Sequence, residues 1–289
     1  MKTDSRGKKY FKLGLHIHTT VSDGRKTPEE AAKEYLADGY DAIAFTDHWE
    51  YGENGNILGL PIISGCEYNV GKGETIEGEM HILALFTERD PAPPRNATRE
   101  EIVDAICKAG GLAVLAHPAW SLNTPDDLKE LPGIEATEIF NAVSDAHWSM
   151  RPYSDYFIDL CANRGMYPAI FAADDAHYYD GTDSRRGWIM VEAESATREE
   201  LLTAIRERRF YATEGPDVYV RRCENKITVD TSPASVIGIL SNRTITPNRT
   251  ARGENLTHFE YEIQPGEQWI RVEVRDKNGK RAWSNTVIL

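Results

Sequence analysis

The sequence predicts an α/β fold, a barrel-like set of strands over residues 1–214, followed by a small antiparallel β domain over 215–289. Short, continuous apolar runs alternate with capped helices as far as about residue 214, as in strands covered on both faces. Run after run ends in His, Asp or Glu, and in a closed α/β barrel the catalytic groups converge at the carboxyl ends of the strands. From Gly215 the texture changes to Thr-, Val- and Ile-rich segments with close-spaced turns.

Leu15 and Ile17 alternate with His16 and His18, the two-residue period of a strand, so both imidazoles leave on one face. Asp23-Gly24 follows. Thr27-Pro28-Glu29-Glu30 is a capping box with proline at the first helical position, and Gly39 is the stop. Asp41–Thr46 reads as a buried strand ending at Asp47-His48-Trp49, and Leu60–Cys66 as one ending at Glu67. A turn-rich stretch from Gly71 to Gly78 leads into Met80–Phe86, which carries His81. Thr98 and Glu101 form a second capping box, and the strand Leu112–Ala116 ends at His117-Pro118. A short helix (Pro125–Leu131), a strand (Ile134–Phe140) ending at Asn141 and a helix (Tyr153–Asn163) follow. Tyr167–Ala173 is a strand ending at Asp174-Asp175-Ala176-His177; Gly187–Ala193 is another strand. Thr197 and Glu200 suggest a third capping box. Beyond 215, Phe259–Ile263 and Ile270–Val274 alternate cleanly, and Asn278-Gly279 is a hairpin signal.

Composition narrows the function. The formal net charge is −13 and no basic run exceeds a few residues, which argues against a long nucleic acid as partner and leaves a small phosphorylated molecule open. No apolar run reaches the ~18 residues that span a bilayer, and the start lacks an apolar signal segment, so the expectation is a cytoplasmic protein with no membrane partner. Four scattered cysteines (Cys66, Cys107, Cys161, Cys223) have neither disulfide-framework nor zinc-ribbon spacing and read as small buried residues.

Seven of the eight histidines lie between residues 16 and 177. His147 and His258 do not follow strands and read as structural. His16, His18, His48, His81, His117 and His177, with Asp23, Glu67 and Asp175, read together as a metal site. Asp174 reads as a cap or a solvated group. Trp49, Tyr68 and Trp120 adjoin these positions and either wall a pocket or pack. Arg185 and Arg186, just past His177, are either a cation pair over a bound phosphate or a surface pair at the start of a strand; Arg25 and Lys26 are weaker candidates for the first role.

His16-Ile17-His18 with Asp23-Gly24, Thr46-Asp47-His48, Gly65-Cys66-Glu67, His81, His117-Pro118 and Asp175-Ala176-His177 resemble the motif series of the polymerase and histidinol phosphatase (PHP) superfamily over about residues 10–214. Arg271–Asp276 and Ala282–Asn285 more loosely resemble the CehA/McbA-type metallohydrolase branch. The resemblance implies a distorted (β/α)7 barrel with two to three divalent ions, zinc, manganese or iron. It implies His16, His18, Glu67 and Asp175 around the first ion. Glu67 would bridge to a second with His81 and His117, and Asp23, His48 and His177 would hold a third. Such a cluster lowers the pKa of a shared water from 15.7 towards ~7 and yields a hydroxide nucleophile. The expectation is therefore a metal-dependent hydrolase, a phosphoesterase first, with catalytic roles for His48, His177 and Asp175. A carbamate, ester or amide hydrolase of the same fold is the alternative, and a non-catalytic metal-binding module the second alternative.

Overall fold

The computed structural model describes residues 1–4, 6–71 and 78–289, so most of the turn expected at Gly71–Gly78 lies outside the described residues. The chain runs β1 (Lys2–Thr3), β2 (Lys9–Gly14), α1 (Pro28–Ala37), β3 (Ala42–Ala44), β4 (Gly55–Ile57), β5 (Leu60–Ile63), β6 (Gly65–Val70), β7 (Met80–Leu85), α2 (Arg99–Lys108) and β8 (Leu112–Leu115). Next come α3 (Pro118–Ser121), α4 (Pro125–Glu130), β9 (Ile134–Asn141), a π-helical turn (Ser144–Ser149), α5 (Asp155–Asn163), β10 (Ala169–Ala173), β11 (Trp188–Glu192), α6 (Arg198–Arg206) and β12 (Phe210–Thr213). The remainder is strand: β13 (Val218–Cys223), β14 (Lys226–Ser241), β15 (Thr250–Glu262), β16 (Trp269–Arg275), β17 (Arg281–Ser284) and β18 (Val287–Ile288).

The helices begin where local chemistry directs. Thr27 and Glu30 exchange side-chain and backbone hydrogen bonds at the start of α1, and Thr98 and Glu101 do the same for α2. The third expected capping box does not form: the Thr197 hydroxyl lies 3.2 Å from Ser195 Oγ and makes no cap bond to α6. Thr124 and Asp127, which the sequence reading passed over, form a box at α4.

The expected closed barrel is corrected by the strand pairing. The described strands make two sheets, one of thirteen strands and one of five in the order β10-β9-β8-β7-β6. They meet through single bridges, Ile17 to Ala176 and His48 to Glu67, rather than through continuous ladders. At these seams the backbone leaves strand geometry: Trp49 and Asp175 have φ of 57° and 55°. A few backbone bonds hold each seam, His18 N–H donating to the Ala176 carbonyl, Asp175 N–H to that of His16 and Trp49 N–H to that of Glu67. Nor is the sheet all parallel. β2-β3-β5 and β8-β9-β10 are parallel, but β6, β7 and β8 pair antiparallel, and β11 is antiparallel to both its neighbours. Only residues 71–79 separate β6 from β7, and a parallel pair needs a longer crossover.

The C-terminal strands are antiparallel, as expected, and they continue the larger sheet through the β12–β17 pair. Tyr10, Met190 and Tyr211 of the first part share one apolar cluster with Val229, Ile237, Val272 and Val274. Arg271, fully buried, crosses to α5 and donates to Asp159 Oδ1 at 2.8 Å. All four cysteines are free.

Candidate metal centre

The nine sequence candidates meet at the seams between the two sheets. His16 and His18 lie just past β2, with Ile17 bridged to Ala176 beyond β10. Asp47 then shapes the loop that follows. It accepts from Thr19 N and Oγ1 and from Ser22 N and Oγ, folding the chain so that Asp23 turns back towards His18. Gly24 is required in this fold, since a Cβ there would lie 2.3 Å from the His18 carbonyl oxygen. Glu67 stands in β6 and His81 in β7; His117 caps α3 at φ 28°. Asp183 accepts the backbone N–H groups of His177, Tyr178 and Tyr179 and so fixes the turn beyond Asp175.

Three overlapping groups of donors result: His16, His18, Glu67 and Asp175; His48, Glu67 and His81; and His18, Asp23, His48 and His177. His18 Nε2 lies 2.9 Å from Glu67 Oε2 and 3.1 Å from Asp175 Oδ1. His16 Nε2 lies 3.2 Å and 3.1 Å from the same two oxygens. His177 Nε2 is 3.5 Å from Asp23 Oδ2. His117 joins none of the three groups, but its Nε2 is 3.4 Å from Glu67 Oε1 and 3.7 Å from Asp175 Oδ2. The grouping thus differs from the implied one in giving His48 and His18 shared positions.

The electrostatics follow from burial among opposite charges. Burial disfavours ionised Glu67 and Asp175, but the surrounding imidazoles, His16 foremost, outweigh it and hold both carboxyls well below the usual range. Burial likewise opposes charge on His18, and Asp175 and Glu67 outweigh it, pushing the imidazole up to about 9. His48 is lowered instead, by burial and by its neighbours His18 and His81. Among the described residues, three buried atoms, His18 Nε2, His48 Nδ1 and Asp175 Oδ1, have no hydrogen-bond partner although they face other polar groups across short distances. Orphaned polar atoms of this kind are costly, and a cation between them supplies the missing partner. The donor set of imidazole and carboxylate suits zinc, manganese or iron and does not choose among them.

A second layer holds the first. Glu138, buried in β9, lies with Oε1 2.7 Å from His16 Nδ1 and accepts His117 N–H on Oε2 at 2.8 Å. This bond keeps a proton on Nδ1 and turns the His16 Nε2 lone pair inward. Asn141 Nδ2 donates to both Glu138 Oε2 and Asp175 Oδ2. The sequence reading missed Glu138. Its signal was weak, since the strand Ile134–Asn141 also holds Glu135, Thr137 and Asn141, and only burial, which is expensive for an unpaired carboxylate, sets Glu138 apart.

The structure does not bring the two candidate arginines to the cavity. Their backbone N–H groups bind Asp174, while the Arg185 guanidinium points to Glu34 at 3.7 Å and that of Arg186 donates to the Thr182 carbonyl. Lys26 pairs with Glu34, and Arg25 lies over the Tyr178 ring. His258 pairs with Asp230 on the C-terminal strands, and His147 with Thr182 and Asp180 near the rim. Trp49 and Tyr68 pack on each other, whereas Trp120 and Trp148 wall a cavity of about 50 Å3 together with Asp23, His48, Glu67, His81, His117, Asp175 and His177.

Residues 14–113 match the PHP domain. Six of the nine donor positions fall inside this PHP stretch, and the fold brings His117, Asp175 and His177 to it from beyond. An uncharacterized protein of Methanocaldococcus jannaschii is 28% identical over 145 residues, covering 46% of this chain and 82% of that one. A phosphoribosyl 1,2-cyclic phosphate 1,2-diphosphodiesterase of Eggerthella lenta is 32% identical over 83 residues, 26% of this chain and 30% of its own length. The fold is similar to that of a two-domain Bacteroides vulgatus protein described as containing a predicted PHP-like metal-dependent phosphoesterase. The TM-score is 0.58 at 17% identity, over 100% of this chain and 97% of that one.

Proposed function

We propose that this chain is a metal-dependent phosphoesterase acting on a small phosphorylated substrate, with residues 1–214 as the hydrolytic unit and 215–289 as its brace. The observation that carries the reading is the sharing of donors: Glu67, His18 and His48 each belong to two of the three groups, as side chains do between neighbouring ions. In this reading His16, His18, Glu67 and Asp175 would hold one ion, Glu67 with His81 and His117 a second, and Asp23, His48 and His177 a third. Divalent ions supply Lewis acidity and lower the pKa of water they bind. The protein's own groups do the rest. Glu138 and Asn141 orient His16 and Asp175, and with only the first two ions bound His48 or His177 is free to pass a proton to the leaving group. The matched cyclic-phosphate diesterase supports chemistry at phosphorus. A net charge of −13 favours a small substrate over a long nucleic acid.

One observation favours a second reading, a carbamate, ester or amide hydrolase: among the described residues no lysine or arginine lines the cavity. The test is p-nitrophenol release from phosphate monoester, phosphate diester, acetate and N-methylcarbamate by protein loaded with zinc, manganese or iron, with His48→Ala as control. Phosphate turnover that chelation and His48→Ala both abolish is expected. Turnover confined to acetate or carbamate overturns the phosphoesterase in favour of the second reading.

A further inference from the structure

The mouth of this cavity is chemically unlike its floor. Trp120, on α3, sits edge-on to His81 and His117, with ring centroids at 5.5 and 4.9 Å. Trp148, on the π-helical turn, is perpendicular to Trp120 at 5.9 Å and edge-on to His177 at 6.1 Å. The two indoles therefore touch each other and form one continuous aromatic wall against His81, His117 and His177. Leu122 follows Trp120 by two residues, Met150 follows Trp148 by two, and Val21 precedes Asp23 by two; all three are exposed, as is 48% of Trp148. Trp148, which lines the cavity and is half exposed, thus forms an aromatic part of its rim, and an exposed aromatic beside a cavity marks a binding surface.

The rim is held in place by local structure. Leu122 and Met150 both take left-handed backbone, φ 60° and 58°, which costs a non-glycine residue energy and recurs at ligand clamps. Asn141 Oδ1 accepts Ser144 N–H and hydroxyl, tying the turn that carries Trp148 to the residue that orients Asp175. His147 anchors the same turn to Thr182. The whole cavity, both indoles included in its wall, is about 50 Å3; it takes the reacting group, and a large substituent must extend along the indoles towards solvent.

Resting on the phosphoesterase reading, we infer that Trp120 and Trp148 select substrates whose leaving group is a planar apolar ring, an aryl phosphate ester rather than a sugar phosphate. Indole edges and faces give an aromatic ring offset-stacked and edge-on contacts, where a polyol offers only weaker C–H contacts and loses hydration of its hydroxyls. A polyanionic leaving group finds no lysine or arginine among the described residues lining the cavity.

The test separates binding from turnover. Phenylphosphonate and methylphosphonate share a headgroup and differ by the ring; neither is hydrolysed. Titration calorimetry on metal-loaded protein is expected to give phenylphosphonate about fivefold tighter binding, the scale of one aromatic contact. Trp148→Ala abolishes that difference, and Trp148→Phe, which keeps a ring, retains most of it. Equal affinity for the two phosphonates in the wild type overturns the inference, as does a preference that survives in both Trp148→Ala and Trp120→Ala. Phenyl phosphate hydrolysis decides the underlying reading separately. A ring preference without phosphate turnover leaves the slot standing and removes the phosphoesterase; turnover without a ring preference does the reverse.

Discussion

Asp174 and Asp175 are adjacent and both buried, yet their oxygens are occupied in opposite ways. Asp174 accepts four hydrogen bonds, from Tyr35 Oη and from the N–H groups of Arg185, Arg186 and Gly187. Asp175 faces imidazoles and leaves Oδ1 without a partner. The contrast extends outward. Asp47 and Asp183 resemble Asp174, satisfied by backbone N–H groups and hydroxyls of the loops they shape. Glu67 resembles Asp175, ringed by His16, His18, His48, His81 and His117. One kind of carboxylate shapes loops and the other is left for a ligand, and hydrogen-bond accounting separates them where residue type cannot.

Experiments can break this division. Glu67→Gln is expected to lower activity by more than the ~100-fold that marks loss of an outer-shell partner, with at least one ion lost per chain by elemental analysis. Full metal content and activity in that variant would place Glu67 with the bracing carboxylates. Glu138→Gln sits on the boundary. It keeps the shape but weakens the hold on His16 and His117, so metal affinity should fall ~10–100-fold in a competition assay against a chromogenic chelator. An unchanged affinity would make Glu138 a packing residue only.

Asp47→Ala should act in the other direction. It leaves the Thr19 and Ser22 donors unpaired and should cost about 3 kcal/mol, roughly 6–10 °C in Tm for a protein of this size, measured without added metal. Asp175→Asn under the same conditions should move Tm less, because it weakens the pairing with the imidazoles but leaves no backbone N–H or hydroxyl donor unpaired. If the two shifts are alike, the distinction is false. The smallest effect belongs to Arg186→Ala, whose guanidinium serves the Thr182 carbonyl. The Michaelis constant for a phosphate ester should not change, and a marked rise would put this side chain back at the substrate.

Local chemistry made the elements and most of the site legible. The Thr27 and Thr98 capping boxes formed where the sequence has them because their partners lie three residues away. The nine candidate positions were legible because imidazoles and carboxylates recur so often at or beside apolar runs, although Asp47 and Asp174 at two such ends serve loops instead. Thr197 misled because a neighbouring serine took its hydroxyl. Arg185 and Arg186 misled because position along the chain says nothing about where a long side chain ends.

By itself, then, the sequence determined the alternation of strands and helices, the antiparallel character of the C-terminal strands and the residue types available to a metal. Tertiary structure alone decided that the strands form two sheets joined at single bridges, that β6 to β8 run antiparallel, and that Glu138 stands behind His16. It also decided which of two adjacent aspartates keeps an open oxygen. The physical reason is range. Capping and strand period act over a few residues, whereas Glu138 and His16 are separated by 122 positions and meet only when the chain has folded.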